Sequence, residues 1–268
     1  MQVVATDTTP ADDLRKIEAA VPAVLPAQPE KPRSMLVVSS APMYYHEAIP
    51  WGNEALRVLG EKTGAFTTVF DNSPEAFERE NLDRFDAVCF NNTCGDIVEE
   101  DRLKQNLIDY AKEGGGFVGI HCSAHTFLTW PEYGLLNGAY SRSHPWVNEV
   151  VTVRLEDPSH PCVQSLPPNF EIVDEIYEFE EVPFSRKRLR VLASLDTDRT
   201  DMTKPSIQRT DGDYPLAWVH RFGKGRVFYS AFGHFKSLYW DSQILEHYLS
   251  GIQFAFGDLE ADTTPSSV

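Results

Sequence analysis

One stretch constrains the fold more than any other: Gly114-Gly115-Gly116-Phe117-Val118-Gly119-Ile120-His121-Cys122-Ser123-Ala124-His125. The short apolar run from Phe117 to Ile120 follows three glycines and stops at a polar knot. Such a run is the pattern of a central parallel strand covered on both faces. In open α/β sheets, ligands sit outside the carboxyl ends of the strands. His121, Cys122, Ser123 and His125 therefore stand where a site belongs. The alternative is a buried histidine held by backbone groups.

The upstream segments repeat this arrangement. Residues 35–39, 66–70 and 87–90 read as buried strands. Residues 49–63 read as a helix stopped by Gly64, 74–80 as a short helix capped by Asn72 or Ser73, and 99–113 as a helix with Leu103, Leu107, Ile108 and Ala111 inward. Strand and helix in alternation predict a doubly wound parallel sheet. Right-handed crossovers then bring the loops carrying His46, Asn91 and His121 to one edge. Downstream, residues 150–155, 174–179 and 190–194 read as strands, the second with one polar face. Residues 216–221 and 226–230 form a hairpin pattern, and 242–256 a last helix.

The 268 residues show no internal repeat or linker, so residues 34–257 read as one α/β domain. Residues 1–33 are punctuated by prolines and read as an extended arm: a loose leader, or a segment packed on its own domain or on a second subunit. Within it, residues 12–20 can form a short helix capped by Asp12, with Leu14, Ile17 and Val21 on one face. Residues 258–268 read as a loose acidic tail. The net charge of −16 disfavours nucleic acid and anionic membrane as partners. No apolar run reaches the ~20 residues that span a bilayer, and the N-terminus lacks a signal-peptide pattern. Four cysteines without CxxC spacing read as reduced thiols, which points to the cytoplasm. The arm and the aromatic content allow a homo-oligomer.

Phosphate-binding glycine loops and the G-x-S-x-G elbow are missing, which disfavours nucleotide binding and serine hydrolysis. The histidines are more informative. His46, His121, His144 and His234 lie in loops or at strand ends, and Asp174 and Glu175 add carboxylates. Imidazole can ligate a metal or move a proton, and a carboxylate can act as base, bind sugar hydroxyls or complete a metal shell. The cofactor is undetermined at this stage; a divalent metal on His46, His121, His144 and His234 is one option. Cys122 could be a nucleophile, but the turn's tip is His121. His160, His220 and His247 read as structural or surface residues.

The order of several stretches resembles the ThuA-like family, named for trehalose utilisation. They are Tyr45-His46-Glu47, residues 91–96, residues 115–121, Ser143-His144-Pro145, Asp174-Glu175-Ile176-Tyr177, residues 216–229 and Gly233-His234. The resemblance implies a flavodoxin-like three-layer α/β/α sandwich with a mainly parallel sheet, similar to class I glutamine amidotransferases. It implies that His121 occupies the amidotransferase cysteine position, so the chain is not a glutaminase. His234 resembles the histidine end of that triad, without the usual carboxylate after it. The function implied is carbohydrate metabolism, on trehalose, another disaccharide or a keto-sugar, with a small-molecule carbohydrate as partner. His121, Glu175 and His234 are then the catalytic candidates. Tyr45, His46, Glu47, Asn92, Thr93, His144, Trp146 and Asp174 are the substrate-binding candidates, and Tyr44 and Trp240 are further rings for a sugar to stack on. A non-catalytic sugar-binding or regulatory protein on the same scaffold is the rival reading.

Overall fold

The computed structural model describes residues 9–266. The first half runs α1 (Ala11–Ala20), β1 (Ser34–Val38), α2 (Ile49–Thr63), β2 (Thr67–Phe70), α3 (Arg79–Leu82), β3 (Ala87–Asn91), β4 (Cys94–Gly95), α4 (Asp101–Glu113), β5 (Gly116–Ile120) and β6 (His125–Thr126). The second half runs α5 (Pro131–Asn137), β7 (Ser141–Leu155), β8 (Asn169–Phe179), β9 (Arg190–Leu195), β10 (Pro215–Phe222), β11 (Gly225–Ser230) and α6 (Ser242–Phe256). Nine strands form one sheet in the order β2-β1-β3-β5-β11-β10-β9-β7-β8, and β4 pairs with β6 beside it.

The strands from β2 to β11 are mutually parallel, and the sheet continues antiparallel from β10 to β8. Period-two alternation explains the layers. Met35, Val37, Cys89 and Val118 face one core with Leu56 and Leu59 of α2 and Leu245, Leu249 and Ile252 of α6. Leu36, Val88, Phe90 and Phe117 face the other, with Leu103, Leu107 and Ile108 of α4 and Tyr133 and Leu136 of α5. The result is the flavodoxin-like α/β/α sandwich. Its direction reverses between β1 and β3, since the chain crosses outward to β2 before returning to the far side of β1. A crevice opens at such a switch point, outside the carboxyl ends of the strands.

Helices α2 and α6 fall on the expected residues. Helix α6 is capped by the Asp241 carboxylate, which accepts the amides of Gln243 at 2.9 Å and Ile244 at 3.1 Å.

Other expectations need correction. Helix α1 begins at Ala11 after Pro10, so Asp12 lies inside it and does not cap it. Ser73 precedes its short helix without a side-chain capping bond. Strand β7 extends well before residue 150 as the long partner of β8. The expected polar face of 174–179 is buried: Asp174, Glu175 and Glu178 are all enclosed.

The described part of the arm packs on its own domain. Ile17 is fully buried in the α2/α6 core, a burial that contributes about 1.5–3 kcal/mol. Residues 1–8 lie outside the described residues. The tail is not loose from 258 to 266. Arg33 Nε donates to Asp258 at 3.0 Å, the amide of Ser266 donates to Leu189 O at 2.9 Å, and Ser266 Oγ accepts the amide of Val191 at 3.0 Å. The reason is charge and backbone pairing: arginines at 33, 190 and 226 meet acids of the tail, and Ser266 joins the edge of β9. Among the described residues, no helix is long and apolar enough to cross a membrane.

His247 of α6 reports on this core. Its Nδ1 lies 2.6 Å from Cys162 O, so Nδ1 donates, and Nε2 accepts from Ser230 Oγ at 3.1 Å. Both bonds are met by a neutral ring, and burial pushes its pKa down to about 4. The unfolded chain therefore binds a proton at His247 that the folded chain refuses, and stability falls as pH drops from ~6.5 towards 4. Urea unfolding across that window should show about 1.4 kcal/mol less slope per pH unit in His247→Gln than in the parent. Equal slopes would remove His247 as the cause.

Candidate functional site

His121 is the first residue after strand β5. Its φ of +47° is left-handed, a conformation that costs a non-glycine residue on the order of 1–2 kcal/mol. Two buried contacts hold it there. The His121 carbonyl accepts from Tyr229 Oη at 2.8 Å, and its ring Nδ1 lies 2.7 Å from Ala231 O. A carbonyl can only accept, so the ring proton sits on Nδ1 and the lone pair on Nε2. That lone pair accepts from Tyr177 Oη at 2.9 Å and lies 3.3 Å from Glu175 Oε2.

The other groups arrive from separate loops. His46 comes from the loop between β1 and α2, and its ring centroid is 5.1 Å from those of both His121 and His234. His234 follows Gly233 after β11. Gly233 has φ +137°, and a Cβ there would stand 2.8 Å from Tyr239 Oη and 3.3 Å from His121 Cβ, so only glycine permits this approach. Asp174 then fixes the loop: its carboxylate accepts the amides of Gly233, His234 and Phe235 at 2.8, 3.0 and 3.2 Å. Glu175 is the next residue of β8. The irregular β7–β8 register between Ser141 and Glu149 lies opposite this stretch and re-aims side chains as bulges do.

One ligand atom from each of His46, His121, Glu175 and His234 lies within 4.8 Å of every other. The chemistry of this set suits a divalent cation. His46 Nδ1 is buried with no hydrogen-bond partner, and so is His234 Nδ1, which lies 3.4 Å from Glu175 Oε2 without hydrogen-bond alignment. The His121 lone pair faces the same carboxylate oxygen, and two electron-rich atoms at that distance need a cation or a proton between them. The two separations to Glu175, 3.3 and 3.4 Å, are those of ligand atoms sharing one cation at ~2.1 Å, within a set whose atoms lie up to 4.8 Å apart. His121 also donates its second nitrogen to a carbonyl, the usual outer bond of a ligating histidine.

A cation at the cluster competes with protons for the same lone pairs. Burial disfavours a charged Glu175, but His121 and His234 outweigh it and hold the carboxyl well below the usual carboxylate range. Burial likewise works against charge on His234, and Glu175 overcomes it and raises the pKa. Burial and then the neighbouring imidazoles push His46 down to about 3, so it offers a neutral lone pair.

The expected residues divide accordingly. His121, Glu175, His234 and His46 converge. His144 does not join the ligand set: it is largely exposed, and its Nδ1 lies 3.4 Å from the opposite oxygen of Glu175. Glu175 takes the place expected for it, because β8 points inward where the 143–145 segment runs along the rim.

Asp174 is fully buried and committed to three amides, so it positions the His234 loop and is closed to substrate. Thr93 is buried against Thr126 Oγ1 at 2.7 Å, and Asn92 is buried with Nδ2 on Tyr239 Oη at 2.7 Å. Trp146 is a core residue packed on Tyr214, its indole donating to Asp201 O at 2.8 Å, and Trp240 is covered by Lys16. Thr93, Trp146 and Trp240 present no free face to a sugar, and Asn92 keeps a buried Oδ1 without a hydrogen-bond partner. Tyr44, Tyr45 and Glu47 are exposed beside the cluster, Tyr44 edge-on to His46.

Cys122 is buried, and contact with Cys94 followed by burial pushes its thiol up, away from the thiolate. Tyr177, which bonds His121, had no role assigned from sequence. Its spacing of two from Glu175 on a strand was the available signal.

The family model described as trehalose utilisation matches residues 34–255. Among solved structures, a ThuA-like protein of Bacteroides uniformis is 21% identical, with a TM-score of 0.68 over 84% of this chain and 92% of that one. A ThuA-like protein of Parabacteroides merdae is 15% identical, with a TM-score of 0.60 over 88% and 95%. A cytoplasmic protein of Salmonella typhimurium is 12% identical, with a TM-score of 0.55 over 83% and 98%. At these identities the likeness concerns the fold. No curated protein matches the chain. The family match spans the sheet and every loop that supplies the histidine and glutamate cluster, and the chain belongs to the ThuA, or trehalose utilisation, family.

Proposed function

We propose that this protein is a cytoplasmic enzyme of carbohydrate metabolism that acts on a small sugar or keto-sugar at the His46/His121/Glu175/His234 cluster, and that the cluster holds a divalent metal. The observation that carries the reading is the meeting of the unpartnered buried His234 Nδ1 and the His121 lone pair at one Glu175 oxygen, with His46 completing the cluster. The family description supports the sugar, and four free thiols suit a reducing compartment.

A bound cation supplies Lewis-acid polarisation of a substrate carbonyl or hydroxyl. The chain's residues do the rest. Glu175, held as an anion, orients the cluster and accepts hydroxyl protons in hydrogen bonds. His234, whose Nδ1 faces Glu175 Oε2 at 3.4 Å, completes the set of residues that would hold the cation. Tyr177 Oη sits on His121 and can donate to a developing oxyanion. Tyr44 and Tyr45 offer exposed rings at the rim for a sugar face. Glutamine hydrolysis needs a thiolate at the tip that His121 occupies. A non-catalytic sugar-binding protein would use the same cluster and show binding without turnover.

Elemental analysis of protein purified in the presence of zinc or manganese should give about one metal equivalent per chain, lost in His121→Ala and in Glu175→Gln and kept in His144→Ala. A protein free of metal after such loading would leave the cluster as an acid–base site. A screen of keto-sugars against the loaded protein then separates turnover from binding alone.

Tyr177 supplies a second check. Its hydroxyl occupies the His121 lone pair that a metal would use. Tyr177→Phe should therefore bind zinc about fivefold more tightly, the equivalent of one hydrogen bond of ~1 kcal/mol. Weaker binding in that variant would make the phenol part of the ligand shell.

A further inference from the structure

We propose that helix α1, which precedes the family-matched residues, braces the candidate site, and that Asp13 is the positioning residue that fixes the His46 and His234 loops against each other. The inference rests on the site reading above and concerns residues of this chain that the reading does not use.

Asp13 is buried on a helix whose other polar residues are exposed. Its Oδ2 accepts from Trp51 Nε1 at 3.0 Å, and its Oδ1 pairs with Lys16 at 2.7 Å. Lys236 Nζ stands 4.0 Å from Oδ2. Trp51 lies in the first turn of α2, and the loop from His46 runs straight into that turn, with the Ile49 amide donating to His46 O at 3.1 Å. Lys236 opens the 3₁₀ turn Lys236–Trp240, two residues after His234.

The two loops are interlocked under α1. Lys236 Nζ lies over the Trp51 ring at 5.1 Å, and Lys16 Nζ lies over the Trp240 ring at 4.5 Å. One carboxylate thus joins an indole behind His46 to an ammonium behind His234. From inside, the same His234 loop is held by Asp174 and by Tyr239 Oη on Gly233 O at 2.9 Å. It is therefore gripped on both sides, and the outer grip belongs to the arm. Ile17 anchors the helix in the core independently of these polar contacts. Cover for the core and the brace can therefore be separated experimentally.

The test uses the full chain and four variants: Asp13→Ala, Trp51→Phe, Asp13→Asn and Ile17→Val. Two quantities are measured well below the unfolding temperature: zinc affinity by competition with a chelator, and amide hydrogen exchange of residues 233–240. Asp13→Ala and Trp51→Phe should weaken zinc binding about tenfold, as lost outer-shell support does, and speed exchange at residues 233–235. Asp13→Asn, which still accepts the indole N–H, should restore most of both. Ile17→Val should lower the unfolding temperature and leave both at parent values. The proposal is overturned if Asp13→Ala behaves like Ile17→Val. If the parent binds no zinc, the metal reading fails by itself. Exchange then decides the brace: faster exchange in Asp13→Ala supports it, and parent-like exchange removes it.

Discussion

The buried carboxylate of Asp174 is the interaction on which the site depends. A carboxylate taken out of water is costly unless its oxygens are satisfied. Here three successive amides, of Gly233, His234 and Phe235, satisfy it. Burial still raises its pKa, partly offset by His121 and the amides of Gly233 and Glu175. The bond ties the antiparallel part of the sheet, through β8, to the loop that follows the last parallel strand. Glu175, its chain neighbour, is thereby delivered next to His234.

Much of the parallel half was legible from sequence, because its signals are local. Apolar runs such as 35–38 and 117–120 tolerate few alternatives to a doubly covered strand, and Gly64 marks the end of α2. Crossover handedness then placed His46 near His121 without any knowledge of side chains. The antiparallel half was less legible. Strand β7 begins in Ser-Arg-Ser-His-Pro, a sequence without strand character, and is held by pairing with β8. Alternating acidic and apolar residues in β8 suggested a solvated face, yet Asp174 and Glu178 are enclosed by amides from distant loops. Partners so far away in the chain leave no periodic trace.

The same distinction separates the site residues. His121, Glu175 and His234 stood out because imidazole and carboxylate in loops are chemically conspicuous. Trp146 and Trp240 stood out as rings a sugar could stack on, and Thr93 through the family resemblance; in the fold all three pack or hydrogen-bond within the protein. Residue type identifies what a side chain can do, and only its neighbours decide whether it is free to do it. Tyr177 is the converse case. A tyrosine within an apolar strand reads as core, and its contact with the lone pair of His121 becomes visible once both strands are in place. The tail was misread, and the arm left between two readings, for want of long-range partners, since Ile17, Arg33 and Asp258 acquire theirs from distant parts of the chain.

The four converging groups come from positions 46, 121, 175 and 234, so the cluster samples most of the folded domain. No fragment of the chain contains it. Whatever binds there recognises only the completed native state, and by mass action adds RT ln(1 + [L]/Kd) to its stability. At a free ligand concentration a hundred times Kd, that amounts to about 2.7 kcal/mol. The occupant would act as a sensor of correct folding, and ligand supply would set how long the protein survives against proteolysis of its open forms.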